Sequence, residues 1–184
     1  MGDFVFNPLF VRGRFCLKWY FSRLFCIAYR VRTVKLLWAV CISVGIVLLF
    51  AFPSALAVDT GEWYSSLKLP SFALDGRYQT IAWAVVYIAD VAALSSLFFK
   101  GAKGARLYLP VAAGVLDLFW CYAFFRLQSV AAGVVVAGMI LLWTVLCAAL
   151  NFKKDKFAFT VFCFKSAWQA YVFAVATAIF CYSL

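Results

Sequence analysis

Three ionisable side chains interrupt the long apolar runs of this chain, and they are the residues best placed to do chemistry. Asp90, Asp117 and Lys165 are each surrounded by residues that are almost all apolar. A charged side chain in such a run is costly in lipid and normally faces the interior of the protein. Two carboxylates and one ammonium predict a buried ion pair, in which Lys165 pairs with Asp117 or with Asp90.

Aromatic residues accompany each of these charges at helical spacing. They are Trp83 and Tyr87 before Asp90, Trp120 and Phe124 after Asp117, and Trp168 after Lys165. Residues three, four or seven positions apart lie on one side of a helix. One interpretation is a set of helix–helix contacts around a structural ion pair. The other is an aromatic-walled cavity with a polar floor, which is the usual form of a small-molecule site.

The sequence supports few kinds of catalytic or metal-binding chemistry. The chain has no histidine, so it lacks the usual general base and the commonest metal ligand. Two carboxylates on different helices do not define a reaction, and no nucleophile motif accompanies them. The seven cysteines form no C-x-x-C pair. This favours cysteines that are buried as small hydrophobic side chains over cysteines that are joined in a disulfide framework. We therefore predict no catalytic residues, no metal site and no required cofactor.

The composition indicates that lipid surrounds the elements that carry these residues. Of the 184 residues, 67% are hydrophobic and only 13% are charged, too few polar residues to cover a soluble domain. Five apolar runs reach the roughly 20 residues that a spanning helix needs, at residues 36–58, 80–99, 107–125, 129–150 and 157–182. They lack the alternation of a membrane barrel, so the predicted fold class is all-α, a polytopic five-helix transmembrane bundle.

The first loop, residues 59–79, is the one long connection between the predicted spans. It contains Trp63, Tyr64 and Phe72 around Pro70. Aromatic residues at a membrane boundary are ordinary interfacial residues. A loop of this length is usually functional or disordered, and the functional interpretation is a lid whose aromatic side chains close over an apolar ligand.

Basic residues predict the orientation of the bundle. Lys and Arg total 17 against 7 Asp and Glu, and most of them lie in the N-terminal segment and in the second and fourth loops. All of these fall on one side of a five-span bundle. The positive-inside rule places the N-terminus inside and the first loop and C-terminus outside. Basic residues that flank membrane spans are enough to explain the excess of positive charge in this chain. We therefore predict no nucleic-acid partner.

Residues 1–35 form a basic, aromatic segment that we assign separately from the transmembrane domain, residues 36–184. Its arginines do not share one helical face, whereas aromatic residues mixed with arginine suit the membrane interface. We predict an interfacial or disordered segment. The Ala55-Leu56-Ala57 sequence is similar to a signal-peptide cleavage site, but the apolar run and the basic segment before it are too long for that assignment.

These motifs resemble those of the TspO/MBR family, also called tryptophan-rich sensory proteins, translocator proteins or peripheral-type benzodiazepine receptors. The family pattern W-Y-x-x-L-x-K-P-x-W-x-P-P, followed by W-x-x-x-Y, is matched by Trp63, Tyr64, Leu67, Pro70, Trp83 and Tyr87. Phe72 replaces the second Trp of that pattern. The third-helix pattern L-N-x-x-W-S-x-x-F-F is matched by Leu116, Trp120, Phe124 and Phe125, with Asp117 at the Asn. In the fifth helix, P-Y-x-x-W becomes Phe164, Lys165 and Trp168.

The resemblance implies a five-helix bundle, often a homodimer, with a ligand pocket capped by the first loop. Family ligands are tetrapyrroles such as protoporphyrin IX, sterols and synthetic drugs, so a bound tetrapyrrole or lipid is expected. The matching positions that would line the pocket are Tyr64, Trp83, Asp117, Trp120 and Trp168. With the aromatic residues of the lid and stripes, the predicted ligand-binding set is Trp63, Tyr64, Phe72, Trp83, Tyr87, Asp117, Trp120, Phe124, Lys165 and Trp168.

The predicted function is that of a membrane receptor or carrier for an apolar or amphipathic small molecule. Lys165 has two alternative roles: it pairs with a carboxylate of the protein, or it receives a carboxylate of the ligand such as a porphyrin propionate. A second hypothesis is a proton-coupled transporter in which Asp90 or Asp117 titrates. A third, implied by the resemblance, is light-dependent breakdown of a bound porphyrin, although we expect a protein that is not an enzyme.

Overall fold

The computed structural model describes the backbone of residues 9–183 and the side chains of residues 30–183. All regular secondary structure in this described part is helical, without strands. Its elements in chain order are α1 (Leu9–Ala57), α2 (Glu62–Ser66), α3 (Gly76–Phe99), α4 (Ala105–Cys121), a π-helical turn (Tyr122–Arg126), α5 (Val130–Asn151) and α6 (Lys156–Ser183).

Five helical segments in the described residues are long and apolar enough to cross a membrane. They are Arg30–Ala57, Gly76–Phe99, Ala105–Arg126, Val130–Asn151 and Lys156–Ser183. The predicted all-α fold with five spans is therefore confirmed, and the predicted ends lie within a few residues of the observed ones. The first span differs most, because its helix continues toward the N-terminus beyond the predicted start.

The chain divides into two compact units between Trp38 and Ala39, close to the predicted boundary after residue 35. In the first unit the backbone is helical from Leu9 onward. The predicted interfacial or disordered segment, residues 1–35, lies within this unit. Residues 1–8 and the side chains of residues 9–29 lie outside the described part, so the interfacial assignment stays a prediction.

Within the second unit, α5 and α6 pack most extensively, α4 packs on α5, and α3 packs on α6 and α4. Lipid is as apolar as a leucine side chain, so such contacts depend on close van der Waals packing and hydrogen bonds. Gly133 shows how close the approach is, because a Cβ added there would lie 2.5 Å from the ring of Phe124. The bundle therefore brings α3, α4 and α6 together, and these are the three helices that carry the charged residues.

Asp155 links the α3–α4 and α5–α6 loops, which are rich in lysine and arginine and lie at one end of the second unit. It is only 2% exposed. Lys100 Nζ lies 2.8 Å from Asp155 Oδ1, and Ser96 Oγ donates a 2.9 Å hydrogen bond to Asp155 Oδ2. The backbone N–H of Ala158 donates to the same carboxylate and thereby caps the start of α6. The α3–α4 and α5–α6 loops are thus fixed at one end of the bundle.

Replacing Asp155 by alanine is expected to lower the free energy of unfolding by about 1–3 kcal/mol, because the buried N–H of Ala158 and the half-buried hydroxyl of Ser96 lose their acceptor. Burial alone would raise the pKa of the Asp155 carboxyl, but hydrogen bonds from Lys100, Ala158 and Ser96 outweigh it and hold the pKa below its usual value. The difference in free energy of unfolding between the wild type and the Asp155→Ala variant should therefore be complete above about pH 4 and shrink as the pH falls further. Unfolding in detergent at several pH values measures this, with Asp59→Ala, at an exposed loop position, as the control.

Candidate functional site

The three ionisable residues of the spans meet at one point in the bundle. Lys165 Nζ on α6 lies 2.6 Å from Asp90 Oδ2 on α3 and 2.8 Å from Asp117 Oδ2 on α4. Gln169, one turn after Lys165, donates through Nε2 to Asp117 Oδ1 at 3.1 Å. We call Asp90, Asp117, Lys165 and Gln169 the charge cluster. The two pairings that the sequence left open are therefore both present.

The charge cluster is almost completely withdrawn from solvent. The side chains of Lys165 and Asp117 are 2% and 1% exposed, and that of Asp90 is 13% exposed. An ammonium that already donates to two carboxylates at this depth is not available to a ligand carboxylate. Of the two roles predicted for Lys165, the geometry favours pairing within the protein.

The aromatic stripes of α3, α4 and α6 also meet, one to two turns along these helices from the charge cluster. Trp83 contacts three other rings, with centroid distances of 6.2 Å to Trp120, 5.8 Å to Trp168 and 5.8 Å to Tyr87. Trp120 in turn stacks on Phe124, with centroids 5.4 Å apart and ring planes within 10°. Contacts of this kind stabilise a rigid aromatic wall.

The π-helical turn after α4 changes which aromatic side chains point inward. In α-helical geometry Phe124 follows Trp120 on one face, whereas a π turn also brings the residue five positions later onto that side. Phe124 and Phe125 are consequently both buried, and Phe125 meets Trp120 edge to face at 5.9 Å. Trp120 Nε1 donates a 3.0 Å hydrogen bond to the carbonyl of Gly133, which fixes the indole against α5.

A cavity of about 390 Å³ lies between the C-terminal part of α1, the first loop, α3 and α4. Its lining residues are Ala51, Ser54, Ala55, Val58, Thr60, Tyr64, Gly76, Gln79, Thr80, Trp83, Ala84, Tyr87, Trp120, Cys121 and Phe125. None of these described lining residues is charged; their polar atoms are those of hydroxyl, amide and thiol groups. This volume and lining are typical of sites for drug-sized apolar ligands.

The first loop packs over this end of the bundle. The short helix α2 places Trp63 edge to face with Phe124 at 5.5 Å and Tyr64 against Phe125 at 5.8 Å. Further along the loop, the backbone N–H of Leu74 donates to Tyr171 Oη of α6 at 2.7 Å. Burial, with a smaller contribution from Tyr171, raises the pKa of Tyr64, so its hydroxyl stays protonated at neutral pH.

The structure distributes the predicted ligand-binding residues over three layers. Tyr64, Trp83, Tyr87 and Trp120 line the cavity. Behind this wall, packed against its rings, lie Trp63, Phe124 and Trp168. The third layer is the charge cluster, which contains Asp117 and Lys165 together with Asp90.

Phe72 is placed differently, because it is 53% exposed and does not line the cavity. Helical spacing missed Phe125 and Cys121, which do line it. Phe125 is part of the sequence pattern quoted above, so that pattern could have identified it. The polar lining residues Ser54, Thr60, Gln79 and Thr80 carry no signal in the sequence, since they become neighbours only when α1, the loop and α3 meet.

Comparison with protein families matches residues 37–182 to the TspO/MBR family. The matched range includes every residue that lines the cavity and all members of the charge cluster. No individual curated protein matches the chain significantly. The matched range covers most of the chain, and the chain therefore belongs to the TspO/MBR family.

Proposed function

We propose that this protein is a membrane receptor or carrier that holds a tetrapyrrole-like or sterol-like molecule in the aromatic cavity. Its family membership supports a small-molecule binding or transport role in general. The observation that supports a tetrapyrrole-like or sterol-like ligand is the cavity of about 390 Å³ with an uncharged lining. Flat apolar rings can stack on Trp83 and Trp120, while Tyr64 and Tyr87 offer hydroxyl groups to polar substituents.

The proposed ligand enters with its apolar part toward Trp83. Since the described lining has no charge, an amphipathic ligand would keep its ionised groups outside this chamber, away from the aromatic wall. The family resemblance also leads us to propose membrane lipid and a second copy of the chain as partners. The proposal is of binding and not of turnover, and the expectation that the protein has no catalytic residues stays a prediction.

The proposed orientation places the N-terminus and the Asp155 loops on the inside. Lys100, which contacts Asp155, belongs to the same basic end as the lysines that surround Asp155 in sequence. Two loops that are rich in lysine and arginine therefore share one side of the bundle, and that side is expected to face the cytoplasm under the positive-inside rule.

Replacing Trp83 by alanine tests the site. The variant should bind protoporphyrin IX several-fold to about tenfold more weakly, because an aromatic contact contributes about 0.5–1.5 kcal/mol beyond area burial. Trp83 is preferred to Trp120, whose indole also donates to Gly133 and so supports the fold. The shift of porphyrin absorbance during a titration in detergent gives the dissociation constant.

The matched control is Trp143→Ala. Trp143 is a half-buried tryptophan whose Nε1 donates to the carbonyl of Leu109, and it does not line the cavity. Its loss should leave porphyrin affinity unchanged. Equal affinities of the wild type and the Trp83 variant would contradict the assignment of the cavity as the binding site.

A further inference from the structure

The charge cluster contains one more negative group than positive groups. Asp90 and Asp117 share a single ammonium, and among the described residues Lys165 is the one salt-bridge partner recorded for either carboxylate. With all three ionised, the cluster would hold an uncompensated negative charge inside a membrane-spanning bundle. An unbalanced charge at this depth is strongly unfavourable. A proton on one carboxylate removes the imbalance without any other change in the cluster.

The contacts distinguish the two carboxylates. Asp117 is 1% exposed and accepts from two donors, Lys165 and Gln169, so its ionised form is well solvated by the protein. Asp90 has Lys165 as its one recorded hydrogen-bond donor, and its side chain is 13% exposed. Asp90 is therefore the carboxylate with less support for its charge and the less deeply buried of the two.

The remaining titratable groups around the cluster do not supply a second positive charge. From α5 the thiol of Cys147 is within electrostatic reach of Asp90 and Lys165. From α3 and α4 the phenol of Tyr87 and the thiol of Cys121 are within reach of Asp117. Thiols and phenols are neutral when protonated and negative otherwise, so none of them compensates a carboxylate.

We propose that Asp90 is a proton-binding site, which exchanges one proton with water while Asp117 and Lys165 remain an ion pair, and that filling the aromatic cavity is linked to this proton. The proton comes from bulk water and bonds to a carboxylate oxygen of Asp90. No other bond forms or breaks.

The link to the cavity follows from the positions of the residues on their helices. Tyr87 lines the cavity one turn before Asp90 on α3, and Cys121 lines it one turn after Asp117 on α4. An apolar ligand bound one helical turn from Asp90 makes the surroundings of its carboxylate less polar, which disfavours its charged form. Ligand binding therefore favours proton uptake, and by reciprocity the protonated protein binds the ligand more tightly. This second part rests on the proposed function.

Infrared difference spectroscopy of the full chain in lipid bilayers tests the proton site without a ligand. The spectrum should contain the C=O stretch of a protonated carboxylic acid at neutral pH, and raising the pH should remove it. The band should be missing in Asp90→Asn and retained in the control Asp75→Asn, which changes an exposed carboxylate. The pH titration of the wild-type band needs no variant, so it shows whether a buried carboxylic acid is protonated at neutral pH even if Asp90→Asn fails to fold.

Absence of that band from the wild type over the whole pH range in which the bundle is folded would overturn the proposal. Replacing either carboxylate by an amide removes the excess negative charge, so the proton is assigned with variants that keep both carboxyl groups. A shift of the band in Asp117→Glu with an unchanged band in Asp90→Glu would overturn the assignment to Asp90.

The link to the cavity is tested with N-phenyl-1-naphthylamine, a fluorescent apolar probe that is uncharged at neutral and alkaline pH. Its affinity for the wild type should fall with rising pH, by up to tenfold per pH unit for one linked proton. Affinity in Asp90→Asn should be independent of pH, since the amide cannot ionise. A wild-type affinity that does not change with pH refutes the link. A probe that does not bind at any pH counts against the proposed function, whereas the infrared result still decides the proton site.

Discussion

Replacing Lys165 by methionine is expected to be the most destabilising single change in the spanning helices. Methionine keeps most of the volume but leaves Asp117, which is 1% exposed, without its counter-ion. Removing one partner of a buried ion pair costs about 3–5 kcal/mol, because the other charge stays buried and unpaired. Thermal or denaturant unfolding in detergent, followed by circular dichroism, measures the loss.

The control for this prediction is a variant in which the whole charge cluster is neutral. Combining Lys165→Met with Asp90→Asn and Asp117→Asn removes the unpaired charges and should recover most of the lost stability, as exchanging a buried ion pair for uncharged groups is often nearly neutral. If Lys165→Met alone were as stable as the wild type, the cluster would not hold ionised carboxylates, and our description of its electrostatics would be wrong.

Replacing Ala84 by phenylalanine should weaken ligand binding strongly while leaving the bundle folded. Ala84 lines the cavity and its side chain is exposed in the structure, so a larger ring there occupies part of the cavity without disturbing a packed core. We expect affinity for protoporphyrin IX to fall at least tenfold, which corresponds to about 1.4 kcal/mol. A porphyrin titration in detergent measures the change.

The corresponding control is Ala131→Phe, which adds the same ring at an exposed alanine of α5 outside the cavity. Unfolding temperatures of both variants should stay close to that of the wild type. Undiminished porphyrin binding by Ala84→Phe would place the ligand elsewhere on the protein, and the aromatic cavity would then need another explanation.

Hydropathy and helical spacing were sufficient to predict the five spans and to identify the residues that meet between α3, α4 and α6. The reason is physical: lipid forces each span to be a helix, and a charge within a span must face the protein. Once Asp90, Asp117 and Lys165 are assigned inward faces, an ion pair between them is expected. The spacing of Trp83 and Trp120 from these charges places both indoles on the same faces.

The details that the sequence did not predict depend on contacts between distant segments. The π turn that brings Phe125 to the cavity breaks the 3.6-residue period on which face assignments depend. Phe72 was grouped with the ligand-binding residues because it is aromatic, yet the path of the loop is set by the hydrogen bond from Leu74 to Tyr171. Asp155 gave no signal either, since its burial requires two loops to meet.

The shared ammonium of the charge cluster also bears on how this sequence could have diverged. Asp117 and Lys165 stand where the family pattern carries uncharged Asn and Tyr, and in the fold they touch. Asp117 without Lys165 would have left a buried carboxylate with no cation, whereas Lys165 without Asp117 would still have had Asp90 as its partner. Relatives that carry the aspartate of α4 should therefore also carry the lysine, and Asp90 should be an acid more often in sequences that contain the lysine.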